Sequence, residues 1–228
     1  MRNYVDVHIN LNVFTGDPKS SMDKIRELGF KSIAITYFEF NPRLKLDCTL
    51  QNSGLDIASR IQLKPRNRTE LLKELRIFRS KFEIIGVKCV SMEVARVAAR
   101  DSRVDMISFP LENPRVRLSK KLASACNTAV EINARELVNA KQPRYVTLRR
   151  LIDEVDYAAS NGLRLIVSSG ATNQLELLSP MDLASIHTVL GVGRYESLKT
   201  VSENPYSIIR RNRMKLRGSL ISEWRASS

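Results

Sequence analysis

Apolar and polar positions follow two alternating periods along this chain. Residues 4–9 alternate apolar and polar side chains with a period of two, which predicts a half-buried β-strand. Residues 20–28 repeat apolar positions at helical spacing, and Gly29 stands where such a helix would end. Residues 32–38 are rich in β-branched and aromatic side chains, which favours a second strand. The chain is therefore predicted to begin with a strand, a helix and a strand.

The same alternation continues to about residue 202. Further strands are predicted over residues 54–63, 84–90, 104–109, 129–132 and 163–168. Helices are predicted over residues 69–82, 92–99, 118–126, 135–159 with a break near Pro143, 181–190 and 195–202, ending before Asn204 and Pro205. The connection that leads into residue 54 is predicted to be extended and without a helix.

Strands that are mostly separated by helices predict a parallel sheet with right-handed crossovers. An open doubly wound sheet and a closed (β/α) barrel both fit this order. No Gly-x-Gly-x-x-Gly follows the first strand, so the strongest argument for a dinucleotide-binding fold is missing. The amphipathic strands at residues 3–9 and 54–63 favour the barrel. We predict an α/β fold, a TIM-like (β/α) barrel, as a single domain over residues 1–213.

The charge of the chain indicates what kind of partner it binds. With 37 Lys and Arg against 24 Asp and Glu, the net charge is +13. Such an excess favours a polyanionic partner, either nucleic acid or an anionic membrane surface. Basic residues are concentrated in two clusters, and each cluster can neutralise phosphates. Alternatively, the first is a solvated helix face and the second is a basic tail. The first consists of Arg60, Lys64, Arg66, Arg68, Lys73, Arg76, Arg79 and Lys81, and the second of Arg210, Arg211, Arg213, Lys215 and Arg217.

The membrane alternative has little support in the sequence. No window approaches 18 apolar residues, the start has no signal-peptide core, and no basic amphipathic anchor stands out. Cys48, Cys89 and Cys126 form no CxxC pair, which fits a reducing compartment. We therefore expect a cytoplasmic protein with no membrane partner. Aromatic residues make up only 6% of the chain, which disfavours a base-stacking platform.

Residues 214–228 are predicted to be a basic C-terminal tail whose order the sequence leaves open. One hypothesis is an arm that orders on a partner, with Trp224 as its anchor. The other is a last helix that packs on the barrel to about Arg213 and is followed by a frayed end. For the packing we favour the second.

Catalytic groups are sparse. Asp6, His8 and Asn10 are expected on one face of the first strand, since alternate residues point the same way. A hydrolytic metal cluster needs several ligands from different strands, and His8 and His187 are the only histidines. We predict no catalytic residue and no metal site. The alternative is a stand-alone metal-dependent phosphoesterase that uses Asp6, His8 and Asp105.

The loop after the last predicted strand, Ser168-Ser169-Gly170-Ala171, allows two interpretations. Its small residues can leave backbone N–H groups free to cradle a phosphate. Alternatively, the loop is a tight turn that needs a positive φ angle at Gly170.

The C-terminal third carries a specific pattern. Arg164-Leu165-Ile166-Val167-Ser168-Ser169-Gly170-Ala171 precedes Ser179-Pro180-Met181-Asp182-Leu183-Ala184, then Leu190-Gly191-Val192-Gly193, and Ser202-Glu203-Asn204-Pro205 before Ile208-Ile209-Arg210. This order resembles the archaeal ribonuclease P protein component 3 family, which is related to the thirty-kilodalton subunit of the eukaryotic enzyme. The resemblance is strongest over residues 163–213 and weak over residues 39–83.

The resemblance implies a TIM-like barrel distantly related to the polymerase and histidinol phosphatase superfamily, which builds a metal site on a His-x-His first strand. Here Asp6-Val7-His8 lacks the first histidine. The implied role is an RNA-binding subunit of a ribonucleoprotein endonuclease, ribonuclease P, that removes the 5′ leader from precursor tRNA. The implied partners are the ribonuclease P RNA, protein component 2, the other protein subunits and, indirectly, precursor tRNA. The resemblance further implies that Mg²⁺ is held by the RNA, and we expect no cofactor on this chain.

Six cations are candidate RNA-binding residues. Arg164 is chosen because it begins the strand that matches the family, and Arg135 because it follows the sixth strand. Lys88, Arg96, Lys121 and Arg194 are chosen for charge near strand ends or helix starts. For each one the alternative is a long side chain that covers apolar surface or pairs with a carboxylate.

Overall fold

Seven parallel strands in sequence order form the sheet of the computed structural model, which describes residues 2–39 and 54–217. Their bounds are β1 Val5–Asn10, β2 Ser32–Tyr37, β3 Asp56–Leu63, β4 Ile84–Lys88, β5 Met106–Ser108, β6 Ala129–Asn133 and β7 Leu165–Ser168. Each strand pairs in parallel with the next along the chain. The predicted TIM-like barrel is confirmed.

Within the described residues, helices connect β1 to β2 and each strand from β3 to β6 to the next, and three further helices follow β7. They are α1 Pro18–Glu27, α2 Arg68–Phe78, α3 Met92–Ala98, α4 Lys120–Ala123, α5 Ala134–Val138, α6 Arg144–Ser160, α7 Pro180–Val189, α8 Arg194–Lys199 and α9 Glu203–Leu216. Six of these helices have a side-chain cap that accepts a hydrogen bond from a first-turn N–H, and the capping residues are Asp17, Asn67, Ser91, Ser119, Asn133 and Ser179.

The barrel is nearly closed between β7 and β1. The Asn10 N–H donates to the carbonyl of Ala171 at 2.9 Å. Lower in the gap, the Val5 N–H donates to Val201 at 2.8 Å, and the Val167 N–H donates to Thr200 at 3.3 Å. The backbone at residues 200–201 therefore fills the place that an eighth strand would take, and it satisfies donors that would otherwise be unpaired.

The strands direct their side chains alternately outward, beneath the helices, and inward, into the barrel. Near the amino-terminal ends of the strands, the inner layer is apolar and consists of Val5, Val7, Ala34, Ala58, Ile84, Met106, Ala129 and Ile166. Two residues of α9, Ile208 and Ile209, belong to the same buried cluster. The last helix thus closes the amino-terminal end of the barrel.

Several element boundaries differ from the sequence predictions. Helix α2 ends at Phe78 and α4 spans only Lys120–Ala123, so both are shorter than predicted. The helix predicted over residues 195–202 does end before Asn204, at Lys199, and a separate helix α9 begins at Glu203 and holds Pro205 in its first turn, where no intrahelical N–H is needed. The helix expected to reach about Arg213 continues to Leu216.

Some predictions fall outside the described residues, namely those for the connection before residue 54, Cys48, Trp224 and the tail beyond Arg217. Cys89 and Cys126 are buried and free. Within residues 2–39 and 54–217, no helix is long and apolar enough to cross a membrane.

Replacing Ile208 by alanine is expected to lower the free energy of unfolding by about 2–5 kcal/mol, because it removes buried methyl groups and leaves a cavity. Urea unfolding followed by circular dichroism measures the loss. The matched control is Val189→Ala, because Val189 ends α7 with 68% of its surface exposed; we expect a change within about 0.5 kcal/mol. Equal losses in the two variants would contradict the closing role of α9.

Candidate nucleic-acid interface

A buried ion pair occupies the centre of the barrel. Arg60 on β3 donates from Nη1 and Nη2 to the two carboxylate oxygens of Glu131 on β6, at 2.7 and 2.6 Å. Arg60 is fully buried and Glu131 nearly so. Two parallel charge-assisted hydrogen bonds fix the orientation of both side chains.

Neighbouring groups add further hydrogen bonds to this pair, and only Nε of the Arg60 guanidinium is left buried without a partner. Arg60 also donates to the Val7 carbonyl at 3.0 Å and to the Gln62 side chain. Ser168 donates to Glu131 Oε1 at 2.7 Å, and His8 Nδ1 lies 3.1 Å from the same oxygen. Because burial of charge is costly without partners, this set of bonds is what makes the pair tolerable inside the barrel.

The neighbouring strand leaves room for the guanidinium. A Cβ atom on Gly86 of β4 would lie 2.6 Å from both Arg60 Nη2 and Gln62 Oε1. Such a distance is shorter than non-bonded atoms allow, so the absence of a side chain at Gly86 is a packing requirement of the ion pair.

The pKa of Glu131 reflects these surroundings. Burial raises the pKa, and the charges and hydrogen bonds of Arg60 and His8 outweigh burial and bring it below the ordinary value of 4.5. Glu131 is therefore ionised at neutral pH. It serves as the counter-ion of Arg60. Because a general acid must carry a proton, Glu131 is not suited to that role at neutral pH.

A β-bulge changes the predicted face of β1. The register with β2 shifts between Asp6 and Ile9, so Val7 and His8 together oppose one residue of β2. Asp6 then pairs with the outward-facing Ile33, whereas His8 turns inward to Glu131. The prediction that Asp6, His8 and Asn10 share one face is wrong, because the bulge breaks the alternation on which it relied.

Asp6 is held within the wall of the barrel. Its Oδ1 accepts hydrogen bonds from the N–H groups of His8 at 3.1 Å and Ser169 at 3.2 Å, and its Oδ2 is buried without a partner. Burial raises the pKa of Asp6, and the hydrogen bonds from Ser169 and His8 offset only part of that rise. A carboxyl with these surroundings is a structural acceptor.

Asp105 lies at the opposite end of the barrel from His8. It precedes β5 and binds Arg79 at 2.7 Å, Arg211 at 2.9 Å and the amide of Asn212 at 2.8 Å. Asp6, His8 and Asp105 therefore do not converge, which removes the geometric basis of the phosphoesterase alternative.

The other histidine lies apart from both ends of the barrel. His187 is buried in α7, and burial lowers its pKa to about 3, so the ring is neutral. Among residues 2–39 and 54–217, no group of three or more His, Cys, Asp or Glu side chains is placed to hold a metal ion.

The loop after β7 is a tight turn. Gly170 has φ of 64°, and a Cβ there would lie 2.1 Å from the Asn133 side chain. The Ser169 N–H donates to Asp6, and the Ala171 N–H donates to Ser169 Oγ at 3.1 Å. Since these donors are already used, the hypothesis of a phosphate cradle is not supported.

Two of the six candidate cations meet at the carboxyl-terminal end of the strands. Lys88 and Arg135 line a cavity of about 440 Å³ together with Lys64, Asn133 and other polar residues. Lys88 Nζ lies 2.8 Å from Glu136, and Arg135 Nε lies 2.9 Å from Glu176. Both cations thus have a carboxylate partner, and their role in RNA binding stays a prediction.

The other four candidates are dispersed over the surface. Arg164 is exposed and precedes β7, at the amino-terminal end of the barrel. Arg96 lies in the last turn of α3, Lys121 in the short α4, and Arg194 at the first residue of α8. The six residues therefore do not form one cluster.

The two basic clusters of the sequence contain several cations with structural partners. Arg60 belongs to the buried pair, and Arg79 binds Asp105 and the carbonyls of Phe82, Glu83 and Arg103. In α9, Arg213 binds Asp56 at 2.7 Å, the Ile57 carbonyl at 3.0 Å and the Glu83 side chain. The interpretation of either cluster as simply a solvated face or tail is wrong for these residues.

Sequence reasoning missed the pairing of Arg60 with Glu131. A signal was available, since Arg60 shares the inward register of Ala58 and Gln62 on a predicted strand, where an unpaired arginine is not tolerated. The identity of its partner, 71 residues away, had no local signal.

Replacing Glu131 by glutamine is expected to lower the free energy of unfolding by about 3–5 kcal/mol, because it leaves the buried Arg60 charge without a counter-ion. Adding Arg60→Met to that variant is expected to recover part of the loss, with a coupling energy of about 0.5–3 kcal/mol. Urea unfolding of both single variants and the double variant measures the cycle, with the exposed Glu93→Gln as control. Strictly additive losses would show that the two side chains are independent.

The raised pKa of Asp6 predicts a pH-dependent stability. Above pH 3.8 the unfolded chain loses this proton before the folded chain does, so the Asp6 contribution to stability falls as pH rises through the folded pKa. Asp6→Asn removes the titration and keeps an oxygen acceptor. The free energy of unfolding is measured for both chains at pH 4.5, 6 and 8. The stability of the variant relative to the wild-type chain should increase as pH rises, and a difference that stays constant with pH would contradict the prediction.

Comparison with known proteins identifies relatives over nearly the whole chain. The family model described as RNase P subunit p30 matches residues 3–217. Ribonuclease P protein component 3 from Methanosarcina barkeri is 27% identical over 205 residues, which cover 86% of each chain. The protein of the same name from Methanococcoides burtonii is 22% identical over 221 residues, covering 93% of this chain and 89% of that one.

Solved structures share the fold. A chain in the cryo-EM structure of archaeal ribonuclease P with mature tRNA matches with a TM-score of 0.79 and 20% identity, covering 93% of both chains. A probable 2-pyrone-4,6-dicarboxylic acid hydrolase from Acinetobacter baumannii matches with a TM-score of 0.61 and 12% identity, covering 91% of this chain and 99% of that one. Since the family match extends across almost every described element, the chain belongs to the RNase P subunit p30 family.

Proposed function

We propose that this chain is an RNA-binding protein subunit of ribonuclease P, which supports the catalytic RNA in removing the 5′ leader from precursor tRNA. The observation that carries the proposal is the family match over residues 3–217. The similarity to a chain of an archaeal ribonuclease P structure agrees with it over 93% of the chain.

The chemistry of the barrel supports a binding role. Its centre is filled by the Arg60–Glu131 pair, and the three side chains suggested for a phosphoesterase lie apart. The property of the chain that best supports binding of a polyanion is then its net charge of +13. Lysine and arginine contacts to phosphates position an RNA without reading its sequence.

The proposal includes the partners and the metal. The chain binds the ribonuclease P RNA and protein component 2, assembles with the other protein subunits, and meets precursor tRNA indirectly. Mg²⁺ is held by the RNA, which performs phosphodiester hydrolysis. Cationic side chains lower the repulsion between RNA phosphates that folding brings together, so the complex needs less Mg²⁺. The protein acts in the cytoplasm without a membrane partner.

Reconstitution tests this function. Cleavage of precursor tRNA at limiting Mg²⁺ is measured with the ribonuclease P RNA alone, with component 2, and with component 2 plus this chain. We expect this chain to increase cleavage by the pair, and we expect the proteins without RNA to cut nothing. Cleavage of a phosphoester by this chain alone, abolished by chelation, would overturn the proposal and restore the phosphoesterase hypothesis.

Replacing Arg164 by alanine is expected to raise the Mg²⁺ concentration that half-maximal cleavage requires, because one phosphate-neutralising charge is lost. The matched control is Arg149→Ala on α6, where the arginine is also exposed. Titration of Mg²⁺ in the reconstituted complex measures both variants. An unchanged requirement in the Arg164 variant would remove this residue from the RNA-binding set.

A further inference from the structure

Cations are concentrated along the outer part of the last helix, at the amino-terminal end of the barrel. Five of the eight residues from position 210 to position 217 are basic and none is acidic: Arg210, Arg211, Arg213, Lys215 and Arg217. We call these five residues the amino-end ridge. They span about 10 Å of helix axis at 1.5 Å per residue.

The barrel holds this ridge in a fixed position. Ile208 and Ile209 are buried in the inner apolar cluster, and Asn212 donates to the Glu83 carbonyl at 2.7 Å and to Asp105 at 2.8 Å. Hydrophobic burial and directed hydrogen bonds therefore fix the rotation of α9 about its axis. A rigid display of charge reduces the entropy cost of ordering these side chains upon binding.

The carboxylates beneath the ridge leave an excess of positive charge. Asp105 binds both Arg79 and Arg211, so one negative charge serves two cations. Arg213 binds Asp56 and Glu83, whereas Arg210, Lys215 and Arg217 are exposed to solvent. Burial and the nearby charges of Arg211 and Arg79 lower the pKa of Lys215, while Asp105 opposes the shift. Several cations here repel one another, and an added anion would relieve that repulsion.

The opposite end of the barrel differs in this respect. There, Lys88 is neutralised by Glu136 and Arg135 by Glu176. Cations that already have a carboxylate partner gain less from a phosphate, because the existing pair must be broken or shared. Exposed cations are present at this end as well, at Lys64, Arg115 and Lys141, so the amino-terminal end is favoured by the density of its cations, five within eight consecutive residues.

We propose that the amino-end ridge binds the phosphate backbone of a folded RNA. The barrel presents Arg164 at the same end, before β7. This inference rests on the proposed function and adds to it the face through which RNA is bound.

Two sets of substitutions with the same change in charge test the proposal. The ridge set is Arg210→Gln, Lys215→Gln and Arg217→Gln, which leaves the buried contacts of Ile208, Ile209 and Asn212 intact. The control set is Lys64→Gln, Arg115→Gln and Lys141→Gln, at exposed positions in the segments after β3, β5 and β6. Each chain is bound to ribonuclease P RNA, in complex with component 2, over a range of salt concentrations.

For the ridge set we expect the slope of log affinity against log salt to become shallower by about 2–3, since each phosphate contact contributes roughly 0.7–0.9. We expect RNA affinity at physiological salt to fall at least tenfold. For the control set we expect a slope change below about 1, because only long-range attraction is lost. Equal effects of the two sets would overturn the proposed face and leave the proposed function standing. Failure of the wild-type chain to strengthen RNA binding would overturn both.

Acetylation of the wild-type chain gives a test that needs no variant. We expect ribonuclease P RNA to protect Lys215 from an amine-reactive acetylating reagent at least fivefold more than Lys64 or Lys141. Equal protection of the three lysines, or protection of Lys64 alone, would overturn the proposal. Vesicles of phosphatidylserine provide the other polyanion; protection of Lys215 by vesicles and not by RNA would also overturn it.

Discussion

The pairing of Arg60 with Glu131 is the constraint around which the centre of the barrel is organised. Strands three and six bring the two charges together, and strands one, four and seven adapt to them. His8 and Ser168 turn toward the carboxylate, and Gly86 leaves space for the guanidinium. A buried ion pair adds little net stability compared with apolar packing, whereas the loss of one partner is costly. Its presence therefore makes the arrangement of the surrounding strands specific.

This constraint also explains the relation between fold and function. The barrel is shared with a probable hydrolase at 12% identity, and such a likeness concerns the fold alone. In this chain the centre of the barrel is occupied by the Arg60–Glu131 pair and the side chains that bind it, and the chain carries a net charge of +13. Those features suit a protein that binds a polyanion by its surface. The family to which the chain belongs agrees with that reasoning.

The last helix connects stability with surface charge. Its isoleucines close the inner apolar layer, and its arginines bind a carboxylate at the start of β3 and the carboxylates that precede β4 and β5. The same segment therefore completes the core and presents cations to solvent. A change in its packing would alter both properties together, because the charged positions alternate with the buried ones along one helix.

The sequence by itself determined the order of strands and helices, the basic charge and the family, since these follow from local periodicity, composition or a contiguous pattern. It favoured a barrel, although an open doubly wound sheet fits the same order of elements. Only the tertiary structure decided which polar groups meet. A bulge in β1 separated Asp6 from His8, and Asp105 found its partners 26 and 106 residues away in Arg79 and Arg211. The physical reason is that strand register and helix docking bring distant residues together. The spacing of residues along the sequence does not specify strand register or helix docking.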